Sequence, residues 1–151
     1  AAHKENHVFQ VGSITFRADF DSANLGRVKV CPDSKEYELH TLHDCHDTEH
    51  ETNHRSWFYF SVSGHKAGDY FIFHVMNMNK QSKLYQNDFR PIFRTFGSMQ
   101  DWDRVKFPCS YQSVEGDFQL RFRHKFDSTE ETFFAYCHPN SYEDCQAMLR
   151  R

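Results

Sequence analysis

Glycine and proline are scarce in this chain, six and four residues out of 151, which excludes collagen-like and Pro/Gly-rich disordered classes. No apolar run approaches the ~20 residues a membrane helix needs. Residues 1 to 10 are polar and lack the apolar middle of a signal peptide, so the chain reads as soluble and not secreted, with no membrane partner. The five cysteines, Cys31, Cys45, Cys109, Cys137 and Cys145, form no C-x-x-C pair, and no N-x-S/T sequon occurs. A reducing compartment is therefore expected, the cytoplasm or the nucleus. Charge of one sign is also missing. A net charge of -3 and a pI near 6.4 leave no global basic field, which argues against a nucleic-acid partner. Neither a G-x-x-x-x-G-K phosphate loop nor a G-x-S-x-G elbow is present, so two common routes to catalysis are closed.

What the chain does have is aromatic residues: 16 Phe, 7 Tyr and 2 Trp. A chain of this length fits one domain over residues 1–151, and one core suffices for it. Ile14, Phe16, Ala18 and Phe20 alternate with Thr15, Arg17 and Asp19, as a strand with one wet face requires. Phe118, Leu120, Phe122, His124 and Phe126 alternate with Gln119, Arg121, Arg123 and Lys125 in the same way. Trp57 to Val62 and Tyr70 to Met76 are denser in aromatic and β-branched residues. They read as central strands covered on both faces and joined as a hairpin through the turn at 63–68. Shorter strands are expected at Leu25 to Val30, Glu36 to Thr41, Ile92 to Thr95, Arg104 to Phe107 and Thr132 to Cys137. The fold class is all-β: an antiparallel β-sandwich of about 8–10 strands. A short C-terminal helix follows, capped by Ser141 with Glu143 and Asp144 in its first turn.

The most conspicuous segment runs from His43 to His54 and contains His50-Glu51-Thr52-Asn53-His54, an H-E-x-x-H. On a helix that spacing sets two imidazoles on one face to hold zinc, with the glutamate beside the metal-bound water. His46 and Glu49 match a second zinc spacing, H-x-x-E. Neither has a supporting context, because no apolar residue lies between Leu42 and Trp57 and a helix here would have no face to bury. The segment reads as a polar loop. Zinc held by His46, His50 and His54 is the less favoured alternative, and a metalloprotease using His50, Glu51 and His54 is less favoured still.

Lys80, Lys83, Arg90 and Arg94 form a local cationic set beside Tyr85 and Phe89, suited to an acidic partner. His74 and His124 fall on strand faces expected to be buried and read as core histidines. Cys137 and Cys145 read as buried thiols.

Seven blocks then resemble one family in order: Phe20-Asp21-Ser22-Ala23-Asn24-Leu25, Arg55-Ser56-Trp57-Phe58-Tyr59-Phe60-Ser61-Val62, the stretch from Met76 to Tyr85, Arg90 to Thr95, Trp102-Asp103-Arg104, Thr132 to Cys137, and Tyr142 to Gln146. In this register the chain resembles the N-terminal domain of the cytosolic carboxypeptidases, above all the type that removes branch-point glutamate from tubulin. The resemblance implies a non-catalytic β-sandwich that precedes a zinc carboxypeptidase domain beyond Arg151, so that this chain alone is no enzyme and holds no cofactor. Its implied partners are that catalytic domain and, for the whole protein, glutamylated tubulin tails. The candidate contact residues are Asn77, Asn79, Lys80, Ser82, Lys83, Tyr85, Arg90 and Arg94, with no catalytic residue in the chain. A stand-alone β-sandwich that binds a ligand through exposed aromatics is the alternative from a different class.

Overall fold

The computed structural model describes residues 7–20, 23–31, 35–41, 58–78, 90–98, 101–114 and 117–136. Strand β1 (Val8–Val11) turns through Gly12 and Ser13 into β2 (Ile14–Arg17), a two-residue hairpin loop opened by Gly12 at a φ of 64°. Next come β3 (Arg27–Val30), β4 (Glu36–His40), β5 (Tyr59–Ser63) and β6 (Tyr70–Met78). The chain continues with β7 (Ile92–Thr95), β8 (Asp103–Arg104), β9 (Ser110–Val114), β10 (Asp117–Lys125) and β11 (Thr132–Ala135). Six strands form one sheet in the order β1-β2-β5-β11-β7-β8, and five form the other in the order β3-β4-β6-β10-β9.

The inner faces of the two sheets make the core. Phe16, Phe60 and Phe134 come from the six-stranded sheet, and Phe71, Phe73 and Phe122 from the other; each is at most 1% exposed. Phe73 is the hub, with ring centroids 5.8 Å from Phe60, 5.2 Å from Phe122 and 5.1 Å from Phe134. Burying each such ring contributes roughly 1.5–3 kcal/mol. Offset and edge-on geometries add to that, since the rim of one ring meets the face of the next.

The sandwich, the strand Ile92–Thr95 and the alternation along β10 are as expected from sequence, and other expectations need correction. The described residues hold eleven strands rather than about 8–10. β1 and β9 were not anticipated: β1 packs only Phe9 and Val11 partly against the core, and Tyr111 of β9, opposite the buried Leu120, is 38% exposed. The strand expected at Arg104 to Phe107 shrinks to Asp103–Arg104. The β5–β6 hairpin does not form: β5 pairs with β2 and β11, β6 with β4 and β10. The linking turn carries the chain across the core from one sheet to the other, so Phe60 and Phe73 face each other instead of lying in one ladder. Since β5 has left for the opposite sheet, β6 returns beside β4 running the same way, and this pair is parallel. Nor is β6 covered on both faces: Phe71, Phe73 and Val75 are buried, while Ile72, His74 and Met76 between them are partly exposed. The expected C-terminal helix, Cys137 and Cys145 lie outside the described residues.

Gly64 opens the crossing turn at a φ of 89°, and a Cβ there would lie 2.1 Å from the carbonyl oxygen of Ser13. The turn is thus pressed against the β1–β2 loop. Its other end is held by Gly68 N–H donating to the Phe126 carbonyl at 2.7 Å and Phe126 N–H donating to the Asp69 carbonyl at 2.8 Å.

Candidate functional site

The block from Phe58 to Val62 alternates strictly between the two sides of its sheet. Phe58, Phe60 and Val62 are fully buried in the core, and Tyr59 and Ser61 therefore point outward. In register with Ser61 stand Arg17 of β2 and Phe133 of β11, and Phe133 is in turn opposite Arg94 of β7. This outer face carries a second, smaller ring cluster. Phe20 meets Tyr59 edge-on at 4.8 Å and Phe133 at 5.4 Å, and Tyr59 meets Trp102 at 5.7 Å. All four rings are partly exposed. The block from Phe20 to Leu25 contributes at both levels: Phe20 joins these rings, Leu25 enters the core, and Asn24 bridges to Tyr59 through a 2.8 Å N–H donation.

One side of the cluster is framed by charge. Arg17 reaches Asp19 at 3.0 Å and Glu131 at 3.5 Å, and the Ser61 hydroxyl donates to the same Glu131 carboxylate at 2.5 Å. The hydrogen bond to Asp19, offset in part by burial and aided by the charges of Asp19 and Glu131, holds the Arg17 guanidinium above its ordinary pKa. Burial, with Arg94 working against it, raises the pKa of the Tyr59 phenol. Both groups keep their ordinary protonation at neutral pH, so the face is a fixed pattern of rings and charges rather than a proton-transfer site.

Of the residues singled out from sequence, Asn79, Lys80, Ser82, Lys83 and Tyr85 lie outside the described residues, as do His46, His50 and His54. Asn77 is placed only as backbone in β6. Arg94 is exposed on the outer face beside Phe133, whereas Arg90 is turned to the protein, donating to the Lys106 carbonyl at 2.9 Å and to that of Val105 at 3.5 Å. Sequence reasoning missed Tyr59, Trp102 and Phe133 as one surface, although the strict alternation in the Phe58–Val62 block was the signal that could have shown Tyr59 facing outward.

Two of the histidines differ from expectation. His124 is buried at 6% exposure among Phe93, Phe126 and Phe134, and burial lowers its pKa to about 4. That matches a core histidine. His74 does not: it sits on the outer side of β6 and pairs with Glu36 at 3.1 Å. His65, expected in a polar turn, is buried at 3% and stacks on Phe126 at 3.9 Å. Among the described residues neither of its ring nitrogens has a hydrogen-bond partner; desolvation lowers its pKa despite nearby backbone carbonyls and Asp69. Cys31 and Cys109 are half-buried, and the Cys31 thiol faces the Glu38 carboxylate at 3.8 Å. Burial, Glu38 and Glu36 hold the Cys31 thiol above its ordinary pKa, the reverse of nucleophile activation. Among the described residues no three His, Cys, Asp or Glu side chains come together to hold a metal ion.

The sandwich is that of a part of metallo-carboxypeptidases. It aligns with a metallo-carboxypeptidase from Burkholderia cenocepacia at a TM-score of 0.55 and 16% identity, covering 82% of this chain and 29% of that one. A metallo-carboxypeptidase from Pseudomonas aeruginosa aligns at 0.50 and 19% identity, covering 88% and 33%. The family model described as the cytosolic carboxypeptidase N-terminal domain matches residues 16–136, and the chain belongs to that family. Cytosolic carboxypeptidase-like protein 5 of Mus musculus is 38% identical over 91% of this chain and 18% of its own length. The protein of that name from Bos taurus is 42% identical over 85% and 15%. Cytosolic carboxypeptidase 3 of Mus musculus is 28% identical over 91% and 14%. The chain spans about a fifth or less of the length of these curated relatives.

Proposed function

We propose that this chain is the non-catalytic N-terminal domain of a cytoplasmic zinc carboxypeptidase that removes glutamates from polyglutamylated tubulin, and that it stabilises the catalytic domain and walls one side of its substrate cleft. The carrying observation is the family match over residues 16–136, together with relatives at least five times longer. Those relatives are named carboxypeptidases, and the larger remainder of each has room for the chemistry that the described part of this chain lacks. Zinc belongs to that remainder. The segment from Asn77 to Tyr85, following a central strand, supplies polar contacts to the catalytic domain or its substrate. Positive charge at Lys83 and at the exposed Arg94 raises the encounter rate with acidic tails, even though each cation is worth little in affinity.

The test uses the full-length polypeptide, with release of glutamate from polyglutamylated tubulin followed by mass spectrometry. Deleting this chain abolishes or cripples turnover, and the double reversal Lys83→Glu with Arg94→Glu lowers kcat/KM several-fold and flattens its salt dependence. Unchanged kinetics and unchanged salt dependence in the double variant overturn the steering role. Absence of any glutamate release from the intact polypeptide overturns the reading as a whole.

A further inference from the structure

The two outer faces of the sandwich differ in kind. Outside the five-stranded sheet, Arg121, Arg123 and Lys125 follow one another at every second position of β10, all exposed, and Glu36, Glu38 and His74 lie on the neighbouring strands. Tyr70, Ile72 and Met76 share this face, but Arg123 lies over the Phe107 ring at 4.5 Å and the basic side chains of β10 stand opposite Tyr70 and Ile72, so its apolar groups are interleaved with charge. Outside the six-stranded sheet, the centre is the ring cluster of Phe20, Tyr59, Trp102 and Phe133. Beneath it Ser61 and Ala135 are fully buried although they belong to an outward face. Ile92, in register with Ala135, extends the partly exposed apolar area.

We propose that this outer face of the six-stranded sheet is the docking surface for the carboxypeptidase part of the same polypeptide. The assignment rests on the reading of the chain as an N-terminal accessory domain and adds which face that domain presents. A half-covered aromatic patch with a charged frame has the composition of an interface between domains, a ring-rich centre and a polar rim. The occupant follows from length: the chain covers 15–20% of the relatives named cytosolic carboxypeptidase-like protein 5, so several domains' worth of polypeptide is available to cover one face. β11, which carries Phe133 and Ala135 on this face, is the last strand among the described residues and lies at the C-terminal end of the family match. Charge sets the register. Arg94 is exposed beside Phe133, and the carboxylates of Asp19 and Glu131 are already engaged by Arg17 and Ser61, so the docked surface presents an apolar centre with an acidic group opposite Arg94.

Hydroxyl-radical footprinting with mass spectrometry tests this on the full-length polypeptide and on the 151-residue chain. Labelling of Tyr59, Trp102 and Phe133 falls at least three-fold in the full-length protein, while Tyr70 and Tyr111, on the other sheet, label equally in both. Phe133→Glu in the full-length protein restores labelling at Tyr59 and Trp102, and Arg121→Glu, on the charged face, does not. A full-length protein that releases glutamate yet labels these rings as the short chain does overturns the docking face and leaves the functional reading standing. Protection that grows with concentration in the short chain alone identifies a second copy as the occupant and overturns the proposal. An inactive full-length protein sinks the functional reading, and with it the identity of the occupant.

Discussion

The Ser61 hydroxyl donates to the Glu131 carboxylate across 70 positions of sequence, tying β5 to the residue just ahead of β11. Ser61 is fully buried and Glu131 mostly so. Ser61→Ala leaves part of that carboxylate's hydrogen-bonding capacity unmet and is expected to cost about 1–3 kcal/mol of stability. Arg17→Ala, whose side chain is 42% exposed, costs less, about 1 kcal/mol or under. Urea unfolding of the two single variants and the double variant checks the order and reads the coupling through Glu131.

His124 makes stability depend on acidity. Its pKa lies near 4 in the fold and near 6.5 in the unfolded chain, so the unfolded state takes up the proton first. Full stability holds above about pH 6.5 and is lost at roughly 1.4 kcal/mol per pH unit as the pH falls toward 4. Asp127 opposes the shift, and His65 and Lys106 reinforce it. His124→Phe is expected to flatten this slope by one histidine's share, leaving the part due to His65. Chemical denaturation at pH 7 and at pH 5 measures it, and an unchanged slope in the variant would contradict the assignment.

Phe73 and Phe133 separate the two ring clusters energetically. Phe73→Ala opens a cavity at the hub of the core and is expected to cost about 3–5 kcal/mol. Phe133→Ala, partly exposed on the outer face, is expected to cost the isolated chain about 1–2 kcal/mol. Equal losses in thermal or urea unfolding would mean that the outer cluster belongs to the core.

Gly64 and Gly68 share a positive φ but not their surroundings. A Cβ at Gly68 meets nothing within 4 Å, whereas one at Gly64 meets the Ser13 carbonyl oxygen. Gly68→Ala therefore carries mainly the backbone penalty, roughly 1–2 kcal/mol, and Gly64→Ala adds displacement of the β1–β2 loop. The expected result is a clearly larger fall in Tm for Gly64→Ala, with faster amide exchange in β1 and β2.

Alternation made most of this sandwich legible. β2, β4 and β10 follow the period of two, and the core residues Phe16, Leu39 and Phe122 fall where that pattern puts them; β6, dense enough in apolar residues to suggest cover on both faces, alternates as well and buries only Phe71, Phe73 and Val75. Pairing was less legible. A turn rich in Gly, Ser and His serves a hairpin or a crossing between sheets equally well, and only the long-range partners of Phe60 and Phe73 decide between them. The edge strand β9, Ser-Tyr-Gln-Ser-Val, carries little apolar signal, and β1, Val-Phe-Gln-Val, is only four residues long and follows a polar start of the chain. The outer ring cluster escaped notice for a related reason: local sequence shows that Tyr59 faces away from Phe60, but not that Phe20, Trp102 and Phe133 converge on it from three other segments.

Strand order also sets a timetable for synthesis. β11 lies between β5 and β7, and β10 between β6 and β9. Until residue 135 has left the ribosome, the six-stranded sheet is two fragments with open edges, and the other gains its central partner only slightly earlier. Local hairpins such as β1–β2 can form on the nascent chain, but the core closes in one late step that depends on distant pairings. A stall or truncation before Thr132 would leave unpaired inner strands, a natural substrate for chaperones.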